Sequence, residues 1–317
     1  MNLLRHKREL SVAATYALVL LIMAVRRPDF FQSEFRDTYV DNAAVVVAAV
    51  GMTLVIICRH IDISIGSQFS ICAVSAGLLA KTGLPMPLVA VATVAIGCAM
   101  GAANGALVAF MGLPSIVVTL ATMVILGQSL SLIRQGATVD DLPPDFQWFG
   151  LSQHAGEWMV MLSAAVLLIL FAWGMRNLPA GRAVYAVGSD QEAARLSGIR
   201  PRRVVFSVFV LMGALTAVAS LLRAVRFPQV DPRGGLGLEL ETIAAVVVGG
   251  TAIAGGRGNL FGTLLGVILL GTISAALGFL FGQAYWDKAI QGGIILFAVA
   301  SDALHGARAP TTAGSPA

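Results

Sequence analysis

Long apolar runs separated by short polar stretches dominate this chain. Ten stand out: residues 10–25, 43–58, 65–80, 86–110, 115–133, 158–175, 204–222, 242–254, 260–282 and 289–303. None shows the apolar–polar alternation of a barrel strand. A bilayer forces backbone polar groups to pair within a segment, so each run is predicted to be a helix. A span needs about 20 apolar residues, and most runs reach or approach that length. The run 10–25 follows Arg5, Lys7 and Arg8 in the manner of a secretory signal. Arg26, Arg27 and Pro28 then stand where a small-residue cleavage site would lie, so the run reads as an uncleaved first span. The run 242–254 is the weakest and also suits a broken or re-entrant helix.

Composition turns the pattern into a class. Hydrophobic residues make up 57% of the 317 and charged residues 12%, against about 45–50% and 25% in soluble domains. Mean hydropathy is +0.83. The expected fold is all-α, a polytopic membrane protein of about ten transmembrane helices. Ten spans use roughly 200 residues, and the connectors left over are too short to hold a globular catalytic or ATPase domain. Residues 1–305 are expected to form one transmembrane domain. The Ala/Pro/Thr/Gly-rich tail 306–317 is expected to be disordered.

Charge sets the orientation. The connector 176–203 carries Arg176, Arg182, Arg195, Arg200, Arg202 and Arg203 against Asp190 and Glu192. The connector 134–157 carries Arg134 against Asp140, Asp141, Asp145 and Glu157. The first is predicted to face the cytoplasm and the second the outside, which places both termini in the cytoplasm after ten spans. Summed over the whole chain the bias is small, so these two loops set it. Trp148, Trp158, Tyr285 and Trp286 fall near the predicted outer interface, where amphipathic rings settle. The net charge of +4 lies in connectors and does not indicate nucleic-acid binding. Cys58, Cys72 and Cys98 show no CxxC spacing, and the four histidines show no HExxH. No metal, cofactor or disulfide framework is indicated.

The most informative connector is 181–203, Gly181 and Arg182 followed by AVYAVGSDQEAARLSGIRPRR. Ser189 with Glu192 three residues on forms a capping box, which predicts a helix from Asp190. Gly198 is a natural stop and Pro201 lies just beyond. The helix would have about eight residues, ~12 Å at 1.5 Å per residue, too short to be stable unless docked. Ala193, Leu196 and Ile199 form a small apolar ridge, with Gln191 and Arg195 on a polar side. Two readings stand: insertion into a partner's groove, or an amphipathic helix lying on the lipid surface.

Glu192-Ala193-Ala194, three further residues and Gly198 resemble the EAA-x-x-x-G loop of ABC importer permeases. The wider run 181–199 resembles the ribose-type sugar permeases. So do GMTLVIICRHIDISIGS (51–67), GAANGALVA (101–109) and LETIAAVVVGGTAIAGGRGNLFGTLLG (240–266). The likeness covers about residues 43–303. The I-x-L-P that closes the EAA loop in other permeases is absent, with Val208, Phe209, Val210 and Leu211 near its place. The resemblance implies a multi-pass subunit of the bacterial inner membrane that is not itself an enzyme. Its partners would be a cytoplasmic ABC ATPase, a periplasmic substrate-binding protein and a second permease subunit, identical or different. Glu192, Ala193, Ala194, Arg195, Leu196, Ser197, Gly198 and Ile199 would carry the coupling to the ATPase.

Within the spans, Asp62 would cost about 2.5–3.5 kcal/mol at mid-depth, so a boundary or cavity location is expected. Asp62 and Ser64 precede the run 65–80 and read either as its N-cap or as a gate near the solute path. Gly97, Gly101 and Gly105 recur every four residues, a ridge for close helix approach. Asn104 beside them bonds across helices or faces the path. Ser115, Thr119, Thr122 and Ser129 share one helix face and Gln68 lies in the third run, a neutral stripe suited to a polyol or to interhelical hydrogen bonds. GGTAIAGGRG (249–258) lacks the Lys-Ser/Thr of a phosphate loop and reads as glycine packing or a helix break. Glu239 and Glu241 favour the N-terminus of the span that follows.

An ion-coupled carrier would need ionisable residues in its spans, and only Asp62 is a candidate. An intramembrane enzyme would need a nucleophile with a base, or a metal set; neither spacing occurs. The expected function is therefore the permease of an ABC importer for a neutral sugar-like solute. The IDISIGS and SGI motifs favour the sugar branch over branched-chain amino acid permeases. Residues 142–150 and 285–303 look most like permeases for rhamnose or autoinducer-2.

Overall fold

A computed structural model describes residues 7–33, 35–281, 288–289, 292–293 and 296. The described residues form α1 (Lys7–Arg26), α2 (Phe30–Ser33), α3 (Phe35–Ile57), α4 (Ile65–Lys81), α5 (Met86–Ala109) and α6 (Ser115–Arg134). There follow α7 (Gln153–Asn177), α8 (Pro179–Ser189), α9 (Gln191–Leu196), α10 (Pro201–Ala224), α11 (Leu238–Val248) and α12 (Leu260–Phe281). Among them the only extended pairing is an isolated antiparallel bridge between Val139 and Val230. It ties the α6–α7 loop to the α10–α11 loop.

Six helices, α3, α5, α6, α7, α10 and α12, are long and apolar enough to cross a membrane, and α4 and the apolar part of α1 are shorter. The expected tenth span, Tyr285, Trp286 and the tail lie almost wholly outside the described residues. Two spans begin at least five residues earlier than hydropathy predicts. The first is α3, which starts at Phe35 because Asp37, Asp41 and Asn42 interrupt the apolar run without breaking the helix; Asp41 pairs with Arg226. The second is α7, which starts at Gln153 because Ser152 caps it, accepting the Ala155 amide.

Apolar on every side from residue 43 onward, α3 belongs in the middle of a bundle. Residues 43–57 are all buried, and α7, α10, α11 and α12 pack around the helix. By contrast α6 and α7 keep Val124, Ile125, Leu132, Leu162, Val166 and Ile169 exposed, as a hydrocarbon solvent requires. Glycines set the closest approaches. A Cβ on Gly213 of α10 would lie 2.1 Å from the Gly97 oxygen of α5, and one on Gly101 would lie 2.3 Å from the Phe209 oxygen. The four-residue glycine ridge is therefore a packing seam between α5 and α10.

The run 242–254 is half helix. At 11 residues α11 spans about 16 Å, roughly half the hydrocarbon core. Glu239 and Glu241 sit in its first turn. Gly249 and Gly250 (φ 94°) end it. Irregular backbone follows to residue 259, with Thr251, Ala252 and Gly255 buried. A Cβ on Gly262 would lie 2.1 Å from the Gly249 oxygen, and one on Gly266 would lie 2.0 Å from the Ala245 oxygen. The glycine segment serves both predicted roles, a break and a packing seam.

Candidate functional site

The residues expected near a solute path come together. Asp62, Ser64 and Gln68 lie in the α3–α4 turn and first turn of α4, Asn104 in α5, and Thr119 and Thr122 in α6. All but Thr122 are fully buried. Ser64 is the hub. Its hydroxyl donates to Asp62 Oδ1 (2.5 Å) and accepts from Gln68 Nε2 (2.7 Å) and Asn104 Nδ2 (2.8 Å). Asn104 Oδ1 accepts from the Thr122 hydroxyl (2.8 Å), and Gln68 Nε2 also reaches Asp62 Oδ2 at 3.4 Å. Gln68 Oε1 is buried without a hydrogen-bond partner among the described residues.

Thr119 stands beside this cluster rather than in it. Its hydroxyl donates to the Ser115 carbonyl (2.9 Å), with the Ile61 carbonyl 3.3 Å away, and Ser115 Oγ accepts the Ile61 amide at 3.3 Å. Ser129, two turns further along α6, is exposed and apart. The hydroxyl stripe is therefore split: α6 stays against α4 further along, where Ser67 Oγ donates to the Met123 carbonyl at 2.8 Å and Leu130 is buried, but Ser129 itself turns outward.

Asp62 and Ser64 do not cap α4 as a simple N-cap would. Asp62 Oδ1 accepts the Ser64 amide (3.0 Å), an Asx turn one residue before the helix. Ser64 holds the N-cap position yet makes no side-chain cap bond. Both side chains are committed to the interhelical cluster instead. Asn104 lies five residues from the end of α5, about 7.5 Å, so the cluster sits near the end of the bundle that carries α8 and α9.

That end is an elbow. Pro179, at N1, opens α8. Gly181, Val184, Val187 and Gly188 form the face that α8 buries, while Tyr185 donates to the Gly258 carbonyl (2.9 Å). The spacing of Val184 and Val187 between two glycines is the mark of this helix in the sequence, and hydropathy for spans passes over it. Because α8 runs through Ser189, the capping box predicted there does not form. Asp190 is the cap, its Oδ1 accepting the Glu192 and Ala193 amides at 2.9 Å each. Glu192 does not reach back; it pairs with Arg195, at 2.5 and 3.0 Å. The short helix has six residues rather than about eight, since the cap moves on by one and Ser197 is already its C-cap.

Gly198 ends it as expected. At φ 84° its amide reaches the Arg195 carbonyl, and the Ile199 amide reaches Ala194, both at 3.0 Å. These are the paired bonds of a Schellman cap. Ala194 is buried against the body, whereas Ala193, Arg195, Leu196 and Ser197 are exposed, Leu196 by 78%. The amides of Ala193 and Glu192 hold the Asp190 carboxyl below the usual aspartate range. Arg195 does the same for Glu192.

Arg59, which no sequence signal singles out, joins the two regions: its Nη2 donates to the Ser189 carbonyl at 2.5 Å. Among the described residues no three His, Cys, Asp or Glu side chains are grouped to hold a metal, and the three cysteines are free.

Residues 37–299 match the family model described as branched-chain amino acid transport system / permease component. The ribose import permease protein RbsC of Escherichia coli K12 is 30% identical over 293 residues, 90% of each chain. The autoinducer 2 import system permease protein LsrC of Escherichia coli K12/DH10B is 30% identical over 308 residues, 95% of this chain and 89% of its own. LsrC of Photorhabdus laumondii is 29% identical over 303 residues, 93% and 89%. No solved structure matches the chain. With six membrane-length apolar helices, this likeness along nearly the whole length places the protein in the bacterial inner membrane with several passes. The chain belongs to the permease family of ABC importers, on the side of the family similar to ribose and autoinducer-2 permeases.

Proposed function

We propose that this permease carries a neutral sugar-like solute, such as rhamnose, a ribose-like sugar or autoinducer-2, into the cytoplasm. A separate ABC ATPase supplies the energy, a periplasmic binding protein delivers the solute, and a second permease subunit completes the path. The observation that carries this reading is the presentation of α9. One face is seated on the body through Ala194, while Ala193 and Leu196 stand outward with none of the described residues over them. A six-residue helix capped firmly at both ends and rigidly held suits a lever that fits a groove in the ATPase. Residues 192–199 form that contact in this reading.

The cluster of Asp62, Ser64, Gln68, Asn104 and Thr122 is then the closed inner gate. Its donors are used internally, and Gln68 Oε1 is the acceptor left for a solute hydroxyl when it opens. The cluster offers mainly neutral hydroxyl and amide groups, a set that matches the hydroxyls of a sugar-like solute. That favours a sugar over the branched-chain alternative.

The test is uptake in vesicles containing the permease, its ATPase and its binding protein, with ribose, rhamnose, autoinducer-2 and leucine as solutes. Accumulation of a sugar or of autoinducer-2 that stops without ATP is the expected result. Accumulation by the permease alone, or of leucine only, would overturn the reading.

A further inference from the structure

The end of α3 is built against its own backbone preference. The helix closes in a Schellman cap: the Arg59 amide reaches the Ile56 carbonyl at 2.9 Å and the His60 amide reaches Val55 at 3.1 Å. The residue in the left-handed position of such a cap is usually glycine. Here it is Arg59, at φ 65°, where a side chain costs about 1–2 kcal/mol. A strained residue at such a point calls for a reason, and the side chain supplies one. Its guanidinium crosses to the elbow and binds the Ser189 carbonyl at 2.5 Å, one residue before the Asp190 cap.

The backbone around it is fastened at both ends. On the elbow side, the Ile57 carbonyl accepts the Gly256 amide at 2.9 Å, and a Cβ on Gly188 would lie 1.7 Å from that same oxygen. On the membrane side, Ile61 is held by Ser115 of α6, and Asp62 is bonded to the Ser64 hub. Residues 57–62 thus form a strap of six residues between the elbow and the buried cluster. A cavity of about 510 Å³, lined by Arg59, His60, Ser115, Gln191 and Arg202, lies alongside and gives the strap room to shift.

We infer that Arg59 is a positioning residue which ties the α8–α9 elbow to the strap, so that displacement of the elbow is delivered to the Asp62–Ser64–Asn104 cluster. The inference deepens the transport reading above and rests on it for its biological meaning. The mechanical link itself is testable on the permease alone. A rigid connection with two anchored ends moves both ends together; a helix cap that merely ends α3 does not.

The test uses Arg59→Gly, which relieves the left-handed strain and keeps the cap, so the fold is expected to survive. In detergent, hydrogen exchange should quicken at least threefold both at residues 189–194 and at residues 61–64, with α3 unchanged. Arg59→Lys, which keeps a cationic donor on a different stem, should restore part of the protection. Arg202→Ala removes a charge from the same cavity wall and should change neither segment. Continued protection of 61–64 in Arg59→Gly, or equal loosening by Arg202→Ala, would overturn the inference.

In vesicles with the ATPase and binding protein, Arg59→Gly should lower solute moved per ATP at least fivefold while ATP hydrolysis stays within twofold of wild type. An unchanged ratio would overturn the link. Absence of transport by the wild-type assembly would instead overturn the functional reading, leaving the exchange result to decide the link.

Discussion

The buried cluster and the elbow are both polar assemblies of a few residues, and they are held by opposite means. The cluster gathers its members from the α3–α4 turn, α4, α5 and α6, and Asn104 reaches across 40 residues of chain to Ser64. The α9 arm of the elbow is made from neighbours: Asp190 caps amides two and three residues on, Glu192 pairs with Arg195, and Gly198 closes the turn. One is tertiary and protein-buried, where a lost partner leaves another group without water. The other is local and wet, where a lost partner is replaced by solvent. On the proposed transport reading this difference would divide gate from lever: a tertiary cluster that resists change cooperatively, and a locally built elbow that can be displaced as a preformed unit.

The largest effect should come from Asn104→Leu. It removes the bonds to Ser64 and Thr122 inside a dry site, and the expected loss is about 2–3 kcal/mol, read as a lower unfolding midpoint in detergent. An unchanged midpoint would show that the cluster is not cooperative. Next is Gly198→Ala, which forces a side chain into the left-handed region at about 1–2 kcal/mol. That cost should stay in the elbow: uptake falls at least tenfold while insertion and the unfolding midpoint are unaffected. A lowered midpoint would erase the contrast.

Thr122→Val comes third. Its hydroxyl is half-buried and backed by the Val118 carbonyl, so a loss of about 1 kcal/mol is expected in the same unfolding measurement. The smallest effect is that of pH on the elbow. The Asp190 carboxyl is held low in the folded state, so its contribution is full above the ordinary aspartate range. It is lost only as the pH falls through the depressed value. Protection factors at 191–196, with the base-catalysed intrinsic exchange rate divided out, should therefore be flat through neutral and mildly acidic pH. Loosening near neutrality would place the cap elsewhere.

Sequence and structure agree best where information is local. Gly198, the apolar character of α3 and the α5 glycine ridge follow from single residues or short periods. The cap at Asp190 lies one residue beyond the predicted one because α8 extends through Ser189, and that helix has the spacing of a surface element rather than a span. Likewise, α3 and α7 begin early because single charged residues lower hydropathy without ending a helix. The cluster is legible as a set of residue types, not as bonds: which of Thr119, Thr122 and Ser129 joins it depends on how α6 is rotated. Arg59 leaves no mark at all, since an arginine after an apolar run ordinarily signals only the membrane boundary. Its left-handed backbone exists only in three dimensions.

The half-length α11 has a consequence for biogenesis. About 16 Å of helix followed by irregular, glycine-rich backbone is ill suited to sideways release from a translocon into lipid as an independent unit, because its exposed peptide groups would lack partners there. A hairpin with α12, closed through Gly249, Gly262 and Gly266, would cover part of that backbone, and α3, which also packs on α11, precedes both in the chain. Synthesis order would thereby bear on folding order, since the helix that receives α11 is made long before it.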